Sequence, residues 1–416
     1  MSRASDLAFF DLDMFARDTP HEQLKWLREH DPVSWHELHS GRRGDGFWLL
    51  TRHADICEVS KQPSIFYSQG GSVLVDAPGA DVPPHVRMVR DGFTHLDPPQ
   101  HTVLRRLAMP MFSPRGLEGL EARIRERAAQ ALERAAELGT FELVSTFAVP
   151  YPAQFVYCDL FGMPPSMLDR AIFWGNFFNR VHAVPPTDRE FPAMLGQADQ
   201  TLRELHAYCG ETLRSRREAP GDDVLSLLAH LRTPDGTPIT DHQFTSYFWS
   251  LVTGAFDTTA AVIAGGILAL IQEPAQRDKM AADPSLIPKA VDEMLRWVTP
   301  VIYFRRTAAR DYELRGKTIK AGHRVAMCYA AANRDPEAFE APDRFDVERT
   351  PNDHLSFGYG THFCLGTHLA RMELRVLFEE IVARGLRFEL RGPVVRARSN
   401  FINRIVSMPV AVDRHH

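Results

Sequence analysis

The chain lacks any cysteine pairing. Its five cysteines, Cys57, Cys158, Cys209, Cys328 and Cys364, lie far apart and form no Cys-x-x-Cys. That spacing argues against a structural zinc site or a disulfide framework and fits a reducing cytoplasm. A surplus of positive charge is lacking as well. With a formal net charge of −5, nothing marks a general nucleic-acid binder. No internal repeat, low-complexity tract, flavin motif or iron–sulfur motif occurs. Residues 1–13 are acidic and carry no apolar run of the signal-peptide kind. From Gln243 to Gln272 Asp257 is the only side chain expected to be charged, and a membrane span needs about 20 apolar residues. Thr253, Gly254, Asp257, Thr258 and Thr259 interrupt that run at its middle. Two apolar halves around a polar centre predict a buried helix. The expectation is a soluble, cytoplasmic protein with neither membrane nor nucleic acid as partner.

What is present centres on His354-Leu-Ser-Phe-Gly-Tyr-Gly-Thr-His-Phe-Cys-Leu-Gly-Thr-His-Leu-Ala-Arg371. Cys364 stands among Gly358, Gly360 and Gly366, and the helical pattern Leu369, Met372, Leu374, Leu377 follows. Glycines admit positive φ and close approach to a bulky group. A thiolate just before a helix is stabilised by that helix's first amides, and Phe357 and Phe363 would shield the sulfur from water. This build suits a thiolate held against a large flat metal cofactor. A lone Gly-x-Cys-x-Gly is more often a free cysteine in a turn. The string Phe357-Gly-x-Gly-x-His-x-Cys-Leu-Gly366 is far more restrictive.

Elsewhere the pattern is mainly helical. Residues 21–30 read as an amphipathic helix, 47–51 as a strand, and a helix starts near Ala54; residues 69–95, rich in Gly, Pro and Val, read as a long functional loop. After Asp97-Pro-Pro99, His101 and Arg105 are four apart and project from one face. Alone they would be a solvated basic face. Helical patterns cover 117–138, 151–160, 167–178 and 193–217. Phe173, Trp174, Phe177 and Phe178, with a Pro-containing connection after them, predict a mobile lid over an apolar pocket at 166–217; the plainer reading is core aromatics. Thr240 reads as the N-cap of the uncharged helix. A buried Asp257 is costly unless paired or functional. A threonine hydroxyl bonding one turn back would bend that helix, and small Gly254 and Ala255 leave space for a ligand. Glu293 and Arg296 share a helix face. Residues 312–314, 317–319 and 325–329 read as strands, and 387–390 with 405–412 as a terminal pair.

On these motifs the chain resembles the cytochrome P450 family, the haem-thiolate monooxygenases. The likeness runs from about residue 20 to 412, through 97–105, 254–259, 293–296 with 344, and 357–366. It implies one mainly α domain with small β-sheets over 1–416, the trigonal-prism P450 fold, with residues 1–20 as an N-terminal extension. Haem b, iron protoporphyrin IX, would lie between the central helix and the Cys loop. The resemblance makes Cys364 the axial ligand of the iron. It makes His101, Arg105 and Arg306 the propionate partners, with Arg305 the runner-up to Arg306; a guanidinium suits a carboxylate. His362, Phe357 and Gly358 fall beside the haem, and Ala255 over its distal face, where the family usually has a second glycine. Asp257 would relay protons from solvent, and Thr258 would hydrogen-bond the oxygen and a proton-carrying water. Glu293, Arg296 and Arg344 would form a buried structural network.

The implied activity is insertion of one oxygen atom from O2 into an apolar small molecule, by hydroxylation or epoxidation. A ferredoxin and its ferredoxin reductase would supply electrons, docking through Arg106, Arg371 and Arg375, on a monomer. The ending Ser399-Asn-Phe-Ile-Asn-Arg-Ile-Val-Ser-Met-Pro-Val410 is similar to that of members acting on steroid side chains and branched lipids. A steroid, terpenoid or fatty-acid-like substrate is therefore expected, with Phe248, Val301, Ile302, Phe401 and Ile402 as pocket walls. The alternatives are a small aromatic substrate, a haem-thiolate peroxygenase or isomerase, a haem sensor without turnover, and a helical binding protein without haem.

Overall fold

Short alternating apolar runs sort one part of the chain into sheet, and apolar residues at helical spacing sort the rest into helices. The computed structural model describes residues 8–38, 45–74, 82–185 and 188–414. They begin with α1 (Leu12–Arg17), α2 (His21–His30), β1 (Val33–Glu37), β2 (Gly46–Leu50), α3 (His53–Ser60), β3 (Phe66–Tyr67), α4 (Pro84–Arg90) and α5 (Gln100–Ala108). Next come α6 (Leu120–Leu138), β4 (Thr140–Glu142), α7 (Pro150–Ala153) with a π-helical continuation Gln154–Leu160, α8 (Leu168–Ala183), α9 (Phe191–Glu218) and α10 (Val224–Ala229). The central run is α11 (Asp241–Gly254) and α12 (Asp257–Gln272), followed by α13 (Pro274–Ala282) and α14 (Ile287–Val298). The chain closes with β5 (Tyr303–Ala308), β6 (Tyr312–Leu314), β7 (Lys317–Ile319), β8 (Arg324–Cys328), α15 (Tyr329–Ala332), α16 (Thr367–Ala383), β9 (Leu386–Leu390), β10 (Val395–Arg396), β11 (Ile405–Ser407) and β12 (Pro409–Arg414).

The largest sheet has the order β1-β2-β8-β5-β3, with β2 and β8 parallel and its other pairs antiparallel. β12 pairs with both β4 and β9, so the expected terminal pair holds for residues beyond 408, while the first part of the expected strand 405–412 is the separate β11, paired with β10. One apolar core lies among α6, α11, α12, α14 and α16; a second backs the large sheet. Burying a Leu or Phe side chain stabilises by about 1.5–3 kcal/mol, which lets these cores hold a strained, polar centre.

Four expectations shift. α4 sits inside the stretch expected to be loop; Pro83 and Pro84 open it, as proline suits a helix's first turn, while residues 75–81 lie outside those described. β1 and β5 were not foreseen, because His36 and the arginine pair 305–306 mask their alternation. Residues 1–7 of the expected N-terminal extension also lie outside, but Phe9, Leu12 and Phe15 are buried. Those residues belong to the packed body.

The central run starts as its cap requires. Thr240 Oγ1 accepts from Gln243 N (3.1 Å), and Gln243 Oε1 accepts from Thr240 N (2.8 Å), a reciprocal cap. Asp241–Gln272 is long and apolar enough to cross a membrane by composition, but 72% of its most apolar window is buried inside the protein. The helix breaks at Ala255 and Phe256. Tyr157 Oη donates to Val252 O (2.7 Å) and Asn179 Nδ2 to Thr253 O (3.2 Å). Side-chain donors at these carbonyls compete with the i→i−4 ladder, a recognised cause of a kink.

Candidate functional site

Cys364 precedes α16 in a loop shaped by two left-handed glycines, Gly358 (φ 71°) and Gly360 (φ 70°). At Gly360 a β-carbon would stand 2.4 Å from Ser60 O, so that position excludes any side chain. Gly366 has an ordinary φ of −86°; a β-carbon there would sit 4.0 Å from Cys364 Sγ. Its smallness keeps the space beside the sulfur. Cys364 N donates to Phe357 O (2.9 Å) and Thr367 Oγ1 to Cys364 O (2.9 Å). The cysteine is accessible, but to a cavity rather than bulk solvent, and the dense protein around it pushes its thiol pKa up against the opposing pull of the Gly366 amide, Thr367, Arg105 and Arg371. A metal cation at the sulfur would reverse that balance.

The cavity holds about 1910 Å³ of space free of protein atoms, its mouth included. His101, Arg105, Arg306, His362, Phe357, Gly358 and Cys364 all line it, as do Ala255 and Thr258. α5, β5 and the cysteine loop bring the basic residues together. The His101 and His362 ring centroids are 4.1 Å apart, and Phe93 stacks on His101 at 4.9 Å. His362 Nε2 and Ser68 Oγ are 3.0 Å apart. Arg105 Nη2 donates to Phe363 O (2.5 Å) and Arg306 Nη1 to Arg305 O (2.8 Å). Arg305, the runner-up, turns instead to Val73 O and Thr307, because successive strand residues face opposite ways.

These groups fit an anionic cofactor. His101 is fully buried, yet among the described residues neither ring nitrogen has a hydrogen-bond partner. Burial and the nearby Arg105 and Arg306 charges push its pKa down to about 4, and burial lowers Arg306. Among the described residues neither Arg105 nor Arg306 forms an ion pair with a carboxylate. A buried cation without a counter-ion is costly. Two propionates and an iron would supply what the site lacks.

On the opposite wall Thr258 Oγ1 lies 3.5 Å from Gly254 O, the weak backbond of a helix break. Asp257 is beside it in sequence but faces away from the cavity. Arg404 Nη1 donates to its Oδ1 (3.0 Å) and Asn179 Nδ2 to its Oδ2 (3.0 Å). Sequence reasoning missed both partners; nothing local marks them, since α8 and the segment just before β11 are remote in the chain from Asp257. Val301, Phe401 and Ile402 line the cavity. Phe248 and Ile302 do not. Phe248 packs on Tyr208 and Phe244 from the other side of α11, and Ile302 turns into the sheet core behind Val301. Trp249, Leu251 and Phe304 take those places. The α8 aromatics also differ from expectation: Trp174, Phe177 and Phe178 are core, while Asn179 and His182 face the cavity.

Glu293 and Arg296 form the expected buried pair, with Arg296 Nε and Nη2 each 2.7 Å from a carboxylate oxygen. Arg344 is not its third member. Its side chain is 67% exposed and pairs with Asp346; only its carbonyl joins, accepting from Arg296 (3.1 Å). Arg349 fills the role, donating to Glu293 Oε2 (3.0 Å) while 7% exposed. The turn through 342–346 points the Arg344 side chain outward. Arg296 also donates to Asn333 O (2.7 Å), and Asn333 bonds Leu355 N and Ser356 Oγ (2.7 and 2.9 Å). The network thus grips the start of the cysteine loop.

Comparison with known proteins agrees with this geometry. The family model described as Cytochrome P450 matches residues 78–393. Linalool 8-monooxygenase of Pseudomonas putida is 36% identical, over 96% of this chain and 97% of that protein. Cytochrome P450-terp of a Pseudomonas species is 35% identical, over 93% and 92%. The structure of Mycobacterium marinum cytochrome P450 CYP268A2 in complex with pseudoionone superposes with a TM-score of 0.85 at 34% identity, over 96% of each chain. Matched by the family model over most of its length and by these relatives nearly end to end, this chain belongs to the cytochrome P450 family of haem b monooxygenases.

Proposed function

We propose that the chain inserts one oxygen atom from O2 into a terpenoid-sized apolar molecule, with Cys364 as the residue that would hold the iron of haem b. The observation that carries this is a single cavity onto which Cys364, the unpaired cations and Thr258 all open. Bound there, haem b supplies the oxygen-activating redox chemistry. The chain does the rest. Arg105 and Arg306 would neutralise the propionates and His101 would hydrogen-bond one of them, together fixing the orientation of the group, and Glu293, Arg296 and Arg349 hold the loop that presents the thiolate. Thr258 hydrogen-bonds O2 and an ordered water at the helix break. Asp257, next to it and screened by Arg404 and Asn179, passes protons inward from the solvent side. Apolar walls at Val301, Phe304, Phe401 and Ile402 exclude water from the oxidation site.

A terpenoid is favoured over a steroid or fatty acid because linalool and pseudoionone, named for two of the matched proteins, are terpenoid-type molecules. An intact acid–alcohol pair favours O2 chemistry over peroxygenase or isomerase use. The ferrous–CO spectrum tests the ligand: a thiolate-type Soret band that Cys364→Ala abolishes is expected, and an imidazole-type band overturns the assignment. Thr258→Ala should keep haem bound and divert electrons to peroxide; intact coupling to product would remove its proton role.

The electron donor is proposed to be a ferredoxin, reduced by its own reductase, docking on a monomer in the cytoplasm. Arg106 is exposed and leads that surface. Arg371 already pairs with Asp292, and Arg375 with Glu121 and Glu379, which leaves them secondary. Arg106→Glu should slow reduction and weaken its salt dependence; unchanged kinetics would place the dock elsewhere.

A further inference from the structure

Most polar side chains in the wall above the thiolate are committed to the protein itself. His95 Nε2 and Ser72 Oγ are 2.8 Å apart, with His95 Nδ1 3.0 Å from Val89 O. Ser250 bonds Ser246 O (3.1 Å), Thr253 bonds Trp249 O (2.9 Å), and Asn179 bonds Thr253 O and Asp257. His182 is different. It lies in the last turn of α8 and lines the cavity, and among the described residues neither of its ring nitrogens has a hydrogen-bond partner. Its ring is held edge-on between Trp249 (centroids 6.3 Å, 79°) and Phe401 (5.9 Å, 83°), one aromatic from α11 and one from the loop before β11.

An unpaired imidazole in an apolar chamber is unfavourable unless something else completes it. We propose that His182 binds a hydroxyl or carbonyl oxygen of the substrate, so that the preferred substrate is an oxygenated terpenoid rather than a hydrocarbon. Burial pushes its pKa down to about 3, so at neutral pH it is uncharged, with one N–H to give and one lone pair to receive. A hydroxyl uses either nitrogen and a carbonyl uses the N–H. A carboxylate would be desolvated there without a counter-ion. The flanking rings limit the tilt of the imidazole, which fixes the direction from which the oxygen approaches. His182 is thus a specificity determinant that orients the carbon skeleton along Phe401, Ile402 and Val301. The choice of terpenoid rests on the function proposed above; the preference for an oxygen atom does not.

Two matched pairs of probes separate the two, each titrated into the haem-loaded protein by Soret shift and by calorimetry: linalool against myrcene, and 1-dodecanol against dodecane. Linalool should bind about tenfold more tightly than myrcene, the size of one good hydrogen bond. His182→Phe, which keeps the ring packing, should erase that preference by weakening linalool while leaving myrcene within about twofold. His182→Asn, which retains a donor and an acceptor, should restore part of it. Equal losses for the two members of a pair, or no loss for either, count as no discrimination within that pair. Discrimination by His182 within the dodecyl pair alone would keep the anchor and remove the terpenoid assignment. No discrimination in either pair would overturn the anchor outright.

Discussion

Two arginine sites in this molecule are similarly buried and oppositely finished. Arg296 is fully buried and spends its guanidinium on Glu293 and three carbonyls, with Arg349 completing the carboxylate. Arg306, also buried, donates to Arg305 O and has no carboxylate in ion-pair range among the described residues; beside it neither His101 ring nitrogen has a hydrogen-bond partner among them. A satisfied network of buried charge is architecture. An unsatisfied one fits the proposed anion site, because burying charge without compensation has no structural benefit.

The comparison breaks most severely at Glu293. Glu293→Leu strands Arg296 and Arg349 in the interior, and a loss of about 3–5 kcal/mol in urea unfolding is expected. Arg349→Ala should cost about 1–3 kcal/mol, since Glu293 keeps Arg296 but loses a charged donor. At the other site the sign differs. Arg306→Leu should leave the haem-free protein as stable or more so, while haem transfer to apomyoglobin quickens about tenfold or more. If that variant unfolds like Glu293→Leu, Arg306 is structural and the contrast fails.

The pH dependence sharpens the same point. In the folded chain burial, aided by Arg105 and Arg306, holds His101 down at about 4, against 6.5 for the free side chain. The unfolded chain takes up a proton near pH 6.5 that the folded chain refuses until about pH 4. Stability therefore falls as pH drops through that window. His101→Leu should flatten this slope in haem-free protein, as measured by urea midpoints at pH 7 and 5. Smallest of all, Arg344→Ala should change stability by no more than about 0.5 kcal/mol, as for an exposed side chain. A larger loss would return Arg344 to the network.

The cysteine loop was legible because its residues are contiguous and its glycines are forced, at 358 and 360 by backbone conformation and at 360 also by Ser60 O. The helix from Thr240 was legible through its cap, and its break through the polar residues at 253–259. Charge partners separated by long stretches of chain were not. Arg404 and Asn179 meet Asp257 across 147 and 78 residues, and no local pattern announces them. The third member of the glutamate–arginine network was misplaced for a related reason: Arg344 and Arg349 sit in one irregular turn, where spacing does not reveal which side chain points inward. The pocket walls failed wherever a strand or helix face had to be chosen, at Ile302 and Phe248.

By itself the sequence determined the family and through it the cofactor, and it singled out the Cys364 loop and the Asp257-Thr258 segment, since each depends on residue type within a short segment. Only the tertiary structure decided which arginines meet a carboxylate, that Asp257 is held by α8 and the residue before β11, and that His182 faces the chamber with no hydrogen-bond partner among the described residues. Those outcomes depend on which remote side chains arrive at the same point, and a linear pattern does not carry that information.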